Sequence, residues 1–179
     1  MSVEYTRAST IKELKEILLL QKQNLPNHLT KQEIEKEGFL TISHTLDLLT
    51  RMNAMCPHII AKSKNKVVGY ALCMHPAFSK DIPIIRAMFR EVRSILSDDQ
   101  SFMVMGQICV DKEYRGQGIF RGLYAAMKNA VSGNFNYIIT EVDSTNIRSL
   151  NAHYAVGFTL LKTYSADDKI WKLISIKTL

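Results

Sequence analysis

FMVMGQICVDKEYRGQGIFR, residues 102–121, is the stretch from which the fold can be read. An apolar run from Phe102 closes at Val110. A polar loop follows with Arg115, Gly116, Gln117 and Gly118, and an apolar-periodic segment starts at Ile119. This pattern predicts a strand, a glycine turn and the first turn of a helix. Glycines let backbone N–H groups converge without Cβ clashes, and a helix N-terminus adds positive potential, so such a turn suits an anion. A tight strand-to-helix turn without a ligand has the same local pattern.

Downstream, Ile119, Leu123, Met127 and Ala130 line one helical face that ends at Gly133. A strand is expected over 137–142. A helix capped by Thr145 or Asn146 runs to about Val156 and closes at Gly157. Two last strands, 158–164 and 169–176, flank Ala166-Asp167-Asp168. Upstream, 81–96 has helical spacing with Pro83 in the first turn. Residues 58–62 and 67–74 form a hairpin about Ser-Lys-Asn-Lys. Helices are expected over 45–55 and from a cap at Ser9 or Thr10, with Glu13 set for a capping box, to about Asn24. A short strand leads the chain at 3–7. Residues 24–44 break the pattern, apart from a short turn that Thr30 can cap, and read as a binding loop or as an excursion pinned by Phe39. The order β-α-α-β-β-α-β-α-β-α-β-β describes one mixed α/β domain over residues 1–179.

The chain has 179 residues, 46% apolar and 22% charged, which suits a folded domain with a sizeable core. Net charge is +6, suited to an anionic ligand and too mild to imply nucleic acid. The scattered cysteines Cys56, Cys73 and Cys109 make no disulfide framework and fit a reducing compartment. The five histidines show no metal-ligand spacing with them, so no metal is expected. No secretory h-region or membrane-length apolar run is visible, and the expected setting is cytoplasmic, away from membranes.

Gly116, Gly118 and Gly122 are spaced G-x-G-x-x-x-G, which departs from the dinucleotide fingerprint, and no G-K-[ST] of a triphosphate loop is present. The turn instead matches Arg-x-x-Gly-x-(Gly/Ala) through Arg115-Gly116-Gln117-Gly118-Ile119-Phe120. It resembles the coenzyme A pyrophosphate loop of the GNAT superfamily of acyltransferases, with Phe120 standing where the family usually has Gly or Ala. Residues 141–158, Glu-Val-Asp-Ser-Thr-Asn followed by a helix and Tyr154-Ala155-Val156-Gly157-Phe158, resemble the family's second signature. Both signatures stand in the family's order, over about residues 102–164.

The resemblance implies an α/β fold: a mixed twisted sheet of about six to seven strands, helices on both faces and splayed central strands. Gly106 is a candidate for a bulge in the central strand. The resemblance also implies acetyl-CoA as co-substrate and direct N-acetylation of a primary amine on a small-molecule or peptidic acceptor. The final strands and the 82–96 helix could support a homodimer. A non-catalytic acyl-CoA-binding module on the same fold is the alternative. Ile108, Cys109 and Val110 are expected along the pantetheine arm, and a backbone N–H near Ile108 or Cys109 would polarise the thioester carbonyl. Arg115, Gly116, Gln117, Gly118, Ile119 and Phe120 are expected at the pyrophosphate, and Asn146 and Asn151 also at the coenzyme. Arg121, Lys128 and Arg148 could reach its phosphates.

Tyr154 is the candidate general acid for the departing thiolate, sharing its helix face with Ile147, Leu150 and Asn151. His153 points to a different side. Glu141 is the candidate general base. A structural hydrogen-bond acceptor is its alternative reading, and an exposed amine can also lose its proton to solvent without a dedicated base. Gln107 could position a water. Cys109 reads as a buried core residue rather than a nucleophile. Asn27, His28, Phe39 and Tyr164 are candidates for the acceptor pocket.

Overall fold

The structure is a computed structural model and describes residues 2–179. Seven strands form one sheet: β1 (Glu4–Arg7), β2 (Ile59–Ser63), β3 (Lys66–Met74), β4 (Phe102–Val110), β5 (Tyr137–Asp143), β6 (Thr159–Ala166) and β7 (Lys169–Lys177). Their spatial order is β1-β2-β3-β4-β5-β7-β6. Every neighbouring pair is antiparallel except β4–β5. Six helices cover the sheet: α1 (Ile11–Gln23), α2 (Lys31–Glu37), α3 (Leu46–Met55), α4 (Arg86–Arg93), α5 (Ile119–Val131) and α6 (Ile147–Ala155). One core joins α1, α3 and α4 to the face carrying Tyr70, Leu72, Val104 and Ile139. The other joins α5 and α6 to the opposite face through Ala71, Met103, Ile138 and Val142.

Local chemistry explains most boundaries. Thr10 and Thr30 each open a helix with a full capping box, to Glu13 and Glu33. The β2–β3 hairpin turns on Lys64 and Asn65 at φ 50° and 61°, and the β6–β7 hairpin on Asp167 and Asp168 at 50° and 57°. Positive φ at both central residues matches the twist of the flanking strands. The helix expected over 81–96 is shorter. Ile82 is extended before Pro83, residues 83–85 form a 3-10 turn, and regular helix spans only Arg86–Arg93. A proline pushes its preceding residue out of helical conformation. The turn expected after Thr30 is a helix of its own, α2.

Two irregularities open the centre of the sheet. Cys73 pairs with Met105 but Ala71 with Ile108, so β4 carries one extra residue at Gly106–Gln107. That bulge reverses which face each later residue takes. Met103 and Met105 face α5, and after the bulge so do Ile108 and Val110, while Cys109 joins the α1 side. The parallel pairing of β4 with β5 stops at Val104↔Ile139. Beyond it the strands part, and β4 from Met105 onward has no ladder toward β5.

Candidate active site

The Gly116–Gly118 turn is built by backbone conformation. Gly116 and Gly118 have φ of 73° and 79°, a left-handed region costly for other residues, and a Cβ on either would meet nothing within 4 Å. Gly118 is the N-cap of α5 and offers no side chain to it. By contrast, α1, α2, α3 and α6 are capped by Thr10, Thr30, Thr45 and Asn146. The first N–H groups of α5 are therefore left to a ligand or solvent. Gly122, the third glycine of the run, serves packing: a Cβ there would lie 2.1 Å from the Tyr5 ring of β1.

This turn lines a cleft of about 350 Å³. Ile108, Cys109 and Val110 of β4 form one wall, with Arg115, Gly116, Gly118, Ile119 and Phe120 at its head. Ala152 and Ala155 of α6 and its C-cap Val156 form the other side, and Arg121 and Arg148 add positive charge. Lys128 is not in the lining. Arg115 braces the cleft: its Nε donates to the Val110 carbonyl (3.1 Å) and its Nη2 to Asn24 Oδ1 (2.6 Å). Phe120 stands edge-on to Tyr124 and His153, each 5.2 Å between ring centroids, and so joins α5 to α6. Its bulk is absorbed between the helices. Gln117 lies outside the lining and bonds the Glu113 carbonyl (3.0 Å).

A second cavity, about 80 Å³, occupies the opening between β4 and β5. Met105, Gly106 and Gln107 flank it from β4, and Thr140, Glu141 and Asp143 from β5. The two cavities share Phe39, Leu40, Ile108, Asn146 and Ser149, which mark the seam between them. Burial pushes the Glu141 carboxyl up to about 7; a hydrogen bond from the Tyr164 hydroxyl opposes this and the charge of Asp167 adds to it. Burial, and next the neighbouring Glu141, push the Tyr164 phenol upward, so it stays protonated as the donor.

The segment after α2 closes this opening from above. Phe39 O accepts from Asn146 Nδ2 (3.2 Å), Leu40 N donates to Asn24 O (3.0 Å), and Ile42 O accepts from Gln107 Nε2 (2.8 Å). Gln107 is fixed in turn. Its Oε1 accepts from the Tyr70 hydroxyl and from Gln21 Nε2, both at 2.7 Å. Gln21 also bonds His44 Nδ1 and the His44 N–H, each at 2.8 Å. Burial lowers His44 to about 4, so its imidazole is neutral. Gln107 thus holds the covering segment to the bulge, a role unlike the water-positioning expected from its place in the strand.

On α6 the spacing misled. Tyr154 is 40% exposed, lines neither cavity, and lies on the outer face with Ile147 and Asn151. Leu150, expected beside it, is buried at 6%. The inward residue is His153, 1% exposed and in the smaller cavity's lining. Successive helical residues are rotated by about 100°, so one position separates lining from surface. His153 Nδ1 donates to the Ser149 carbonyl (2.7 Å), and burial lowers the ring to about 4, leaving it neutral. Asn146 lines both cavities, but its amide caps α6 through Ser149 N and holds Phe39. Burial pushes the Cys109 thiol up to about 12, which suits a core residue and not a nucleophile. Among the described residues, no group of three His, Cys, Asp or Glu side chains could hold a metal ion. None of their helices is long and apolar enough to cross a membrane.

The profile of the acetyltransferase (GNAT) family matches residues 13–158. The chain belongs to the GNAT acetyltransferase family. It is an acetyl-CoA-dependent N-acetyltransferase, and the seven-stranded mixed sheet with its parted centre is the GNAT fold. Solved structures of low identity share that fold over their whole length. Ard1 from Thermoplasma volcanium superposes with a TM-score of 0.69 at 14% identity, covering 100% of this chain and 99% of that one. Naa50 of Arabidopsis thaliana, solved with the bisubstrate analogue CoA-Ac-MVNAL, gives 0.65 at 14% identity, covering 98% and 99%. The yncA protein of Salmonella typhimurium, solved with its cofactor acetyl-CoA, gives 0.67 at 12%, covering 99% and 95%. No curated protein matches the chain by sequence.

Proposed function

We propose that this GNAT enzyme moves the acetyl group of acetyl-CoA directly onto a primary amine, with Glu141 as the general base. The observation that carries the reading is a carboxyl enclosed between the parted strands, raised to about 7 and joined through a shared seam to a glycine-turn cleft. A base titrating near the working pH combines availability with driving force.

The pyrophosphate rests on the Gly116, Gly118, Ile119 and Phe120 backbone, with Arg121 and Arg148 beside it. The pantetheine arm follows Ile108–Val110 on the side of β4 that lacks a strand partner, and a backbone N–H near Ile108 or Cys109 polarises the thioester carbonyl. The amine enters the smaller cavity, gives its proton to Glu141 and attacks, and the tetrahedral intermediate releases a thiolate. Tyr154 faces solvent, so the geometry does not support it as general acid. An ordinary thiol titrates near 8.5, so the thiolate needs no strong acid and takes its proton from solvent at the cleft mouth.

The acceptor is a small-molecule or peptidic amine. The Naa50 complex carries a peptide-derived analogue on the same fold, which supports including peptide N-termini among the candidates. The test is thiol release from acetyl-CoA with a panel of polyamines, amino acids, aminoglycosides and short peptides. Acetylated product with at least one class, identified by mass, is expected. Coenzyme binding without turnover across all of them would sink the catalytic assignment of Glu141.

A further inference from the structure

Phe39 and Leu40 are the only residues of the segment after α2 common to both cavities; Gly38 lines the larger and Thr41 the smaller. The acyl end of a thioester held at the seam must project past them into a space of about 80 Å³. The main chain that carries both residues is held in place. Residues 39, 40 and 42 are each tied by a main-chain hydrogen bond, to the α6 N-cap Asn146, the α1 C-cap Asn24 and Gln107 of β4 respectively. At Gly38 the backbone has φ 78°, and a Cβ there would lie 2.9 Å from Asn146 Oδ1, so the turn into the segment is also confined. On the far side stand Met105, Val142 and Trp171. A fixed apolar wall excludes by volume, because a packed surface does not stretch to admit extra methylenes.

Resting on the coenzyme reading above, we propose that Phe39 sets the acyl-chain limit of this enzyme: the wall admits acetyl and turns away longer acyl groups. The amine enters the same cavity, so the limit on the acyl chain is read on thioester binding with no acceptor present. Removing the ring opens the seam, and the added space is continuous with the larger cleft.

The test needs no acceptor. Dissociation constants for acetyl-, butyryl- and hexanoyl-CoA are measured by calorimetry on the wild type, Phe39→Ala and Phe39→Leu, with free coenzyme A as reference. The wild type is expected to bind hexanoyl-CoA at least about tenfold more weakly than acetyl-CoA, since hexanoyl carries four more methylenes and a single excess methylene in a fitted pocket already costs about that much. Phe39→Ala should bring that ratio near one, and Phe39→Leu to an intermediate value. Circular dichroism melts establish that the variants are folded, and the leucine variant decides if the alanine variant is not. A wild type that binds both thioesters equally, or a ratio unmoved by either substitution, overturns the proposal alone. Failure of the wild type to bind coenzyme A or any of its thioesters overturns the coenzyme reading with it.

Discussion

Replacing Glu141 by glutamine removes the proposed base while keeping the side chain's shape and an oxygen for Tyr164 to bond. The magnitude follows from the displacement of the carboxyl from an ordinary value of 4.5 to about 7. In free energy that is about 3 kcal/mol of preference for the protonated form. The folded protein holds this proton more tightly than the unfolded chain. The corresponding stability is therefore complete below about pH 4.5 and lost as the pH rises through 7. Above pH 7 the wild type carries an ionised, enclosed carboxylate, and Glu141→Gln should then be the more stable protein by about 3 kcal/mol, with the difference vanishing near pH 4. Activity should move the opposite way. Wild-type kcat/KM should fall tenfold per unit below pH 7, and the glutamine variant should lose about 10²- to 10⁴-fold above it. The acceptor's own amine also titrates, so the profile is measured with two acceptors of different basicity. The limb near 7 should be common to both. Urea unfolding across pH reads the stability half. A glutamine variant that keeps the limb and most of its rate, or one whose stability gain does not grow with pH, refutes the assignment.

Tyr164→Phe deletes the hydrogen bond that opposes the rise at Glu141, so the limb in kcat/KM should move above 7; an unmoved limb would show that the phenol does not tune the carboxyl. Tyr154→Phe should change kcat/KM by less than about threefold because the residue lines neither cavity; a loss of the general-acid order, about 10²-fold, in steady-state assays would restore it to the mechanism. Gly118→Ala places a Cβ at φ 79°, costing about 1–2 kcal/mol, and should weaken coenzyme A in calorimetry, whereas a wild-type Kd would remove the turn from the site. Gly122→Ala forces the tip of the half-buried Tyr5 ring aside and should lower stability by about 1–3 kcal/mol in urea unfolding; an unchanged midpoint would show that the ring swings away without loss of packing.

What was legible in the sequence was what is local. Thr10 with Glu13 and the glycine turn before Ile119 announce their structure within a few residues, and each stands as expected. Gly106 marked the bulge because a residue without a side chain is tolerated where pairing slips. Pro83 showed the limit of periodicity. The apolar positions of 82–96 have helical spacing, yet the backbone restriction before a proline delayed the helix to Arg86. Tyr154 showed a second limit. A tyrosine three residues before Gly157-Phe158 looks like the reacting residue, but the inward line of α6 runs through Asn146, Ser149 and His153.

The covering segment was illegible for a different reason. Its anchors join residues 107 apart (Asn146 to Phe39), 65 apart (Gln107 to Ile42) and 86 apart (Gln21 to Gln107). Nothing in NLPNHLTKQEIEKEGFLTISH predicts which distant amide will bond which carbonyl, so the stretch looks like irregular loop. A loop on the surface could leave its carbonyls to water; over the parted strands they must be paired. Gln21, Gln107 and Asn146, polar residues at buried positions of two helices and a strand, do this. Each looks wasteful inside its own element, since a buried amide costs free energy unless bonded. Their exposure of only 1%, 7% and 7% becomes economical only once the segment they hold is in place. Leu40 and Ile42 pack against the core on the α1 side, so the main chain that carries Phe39 over the seam is set by the fold and not by the glycine turn.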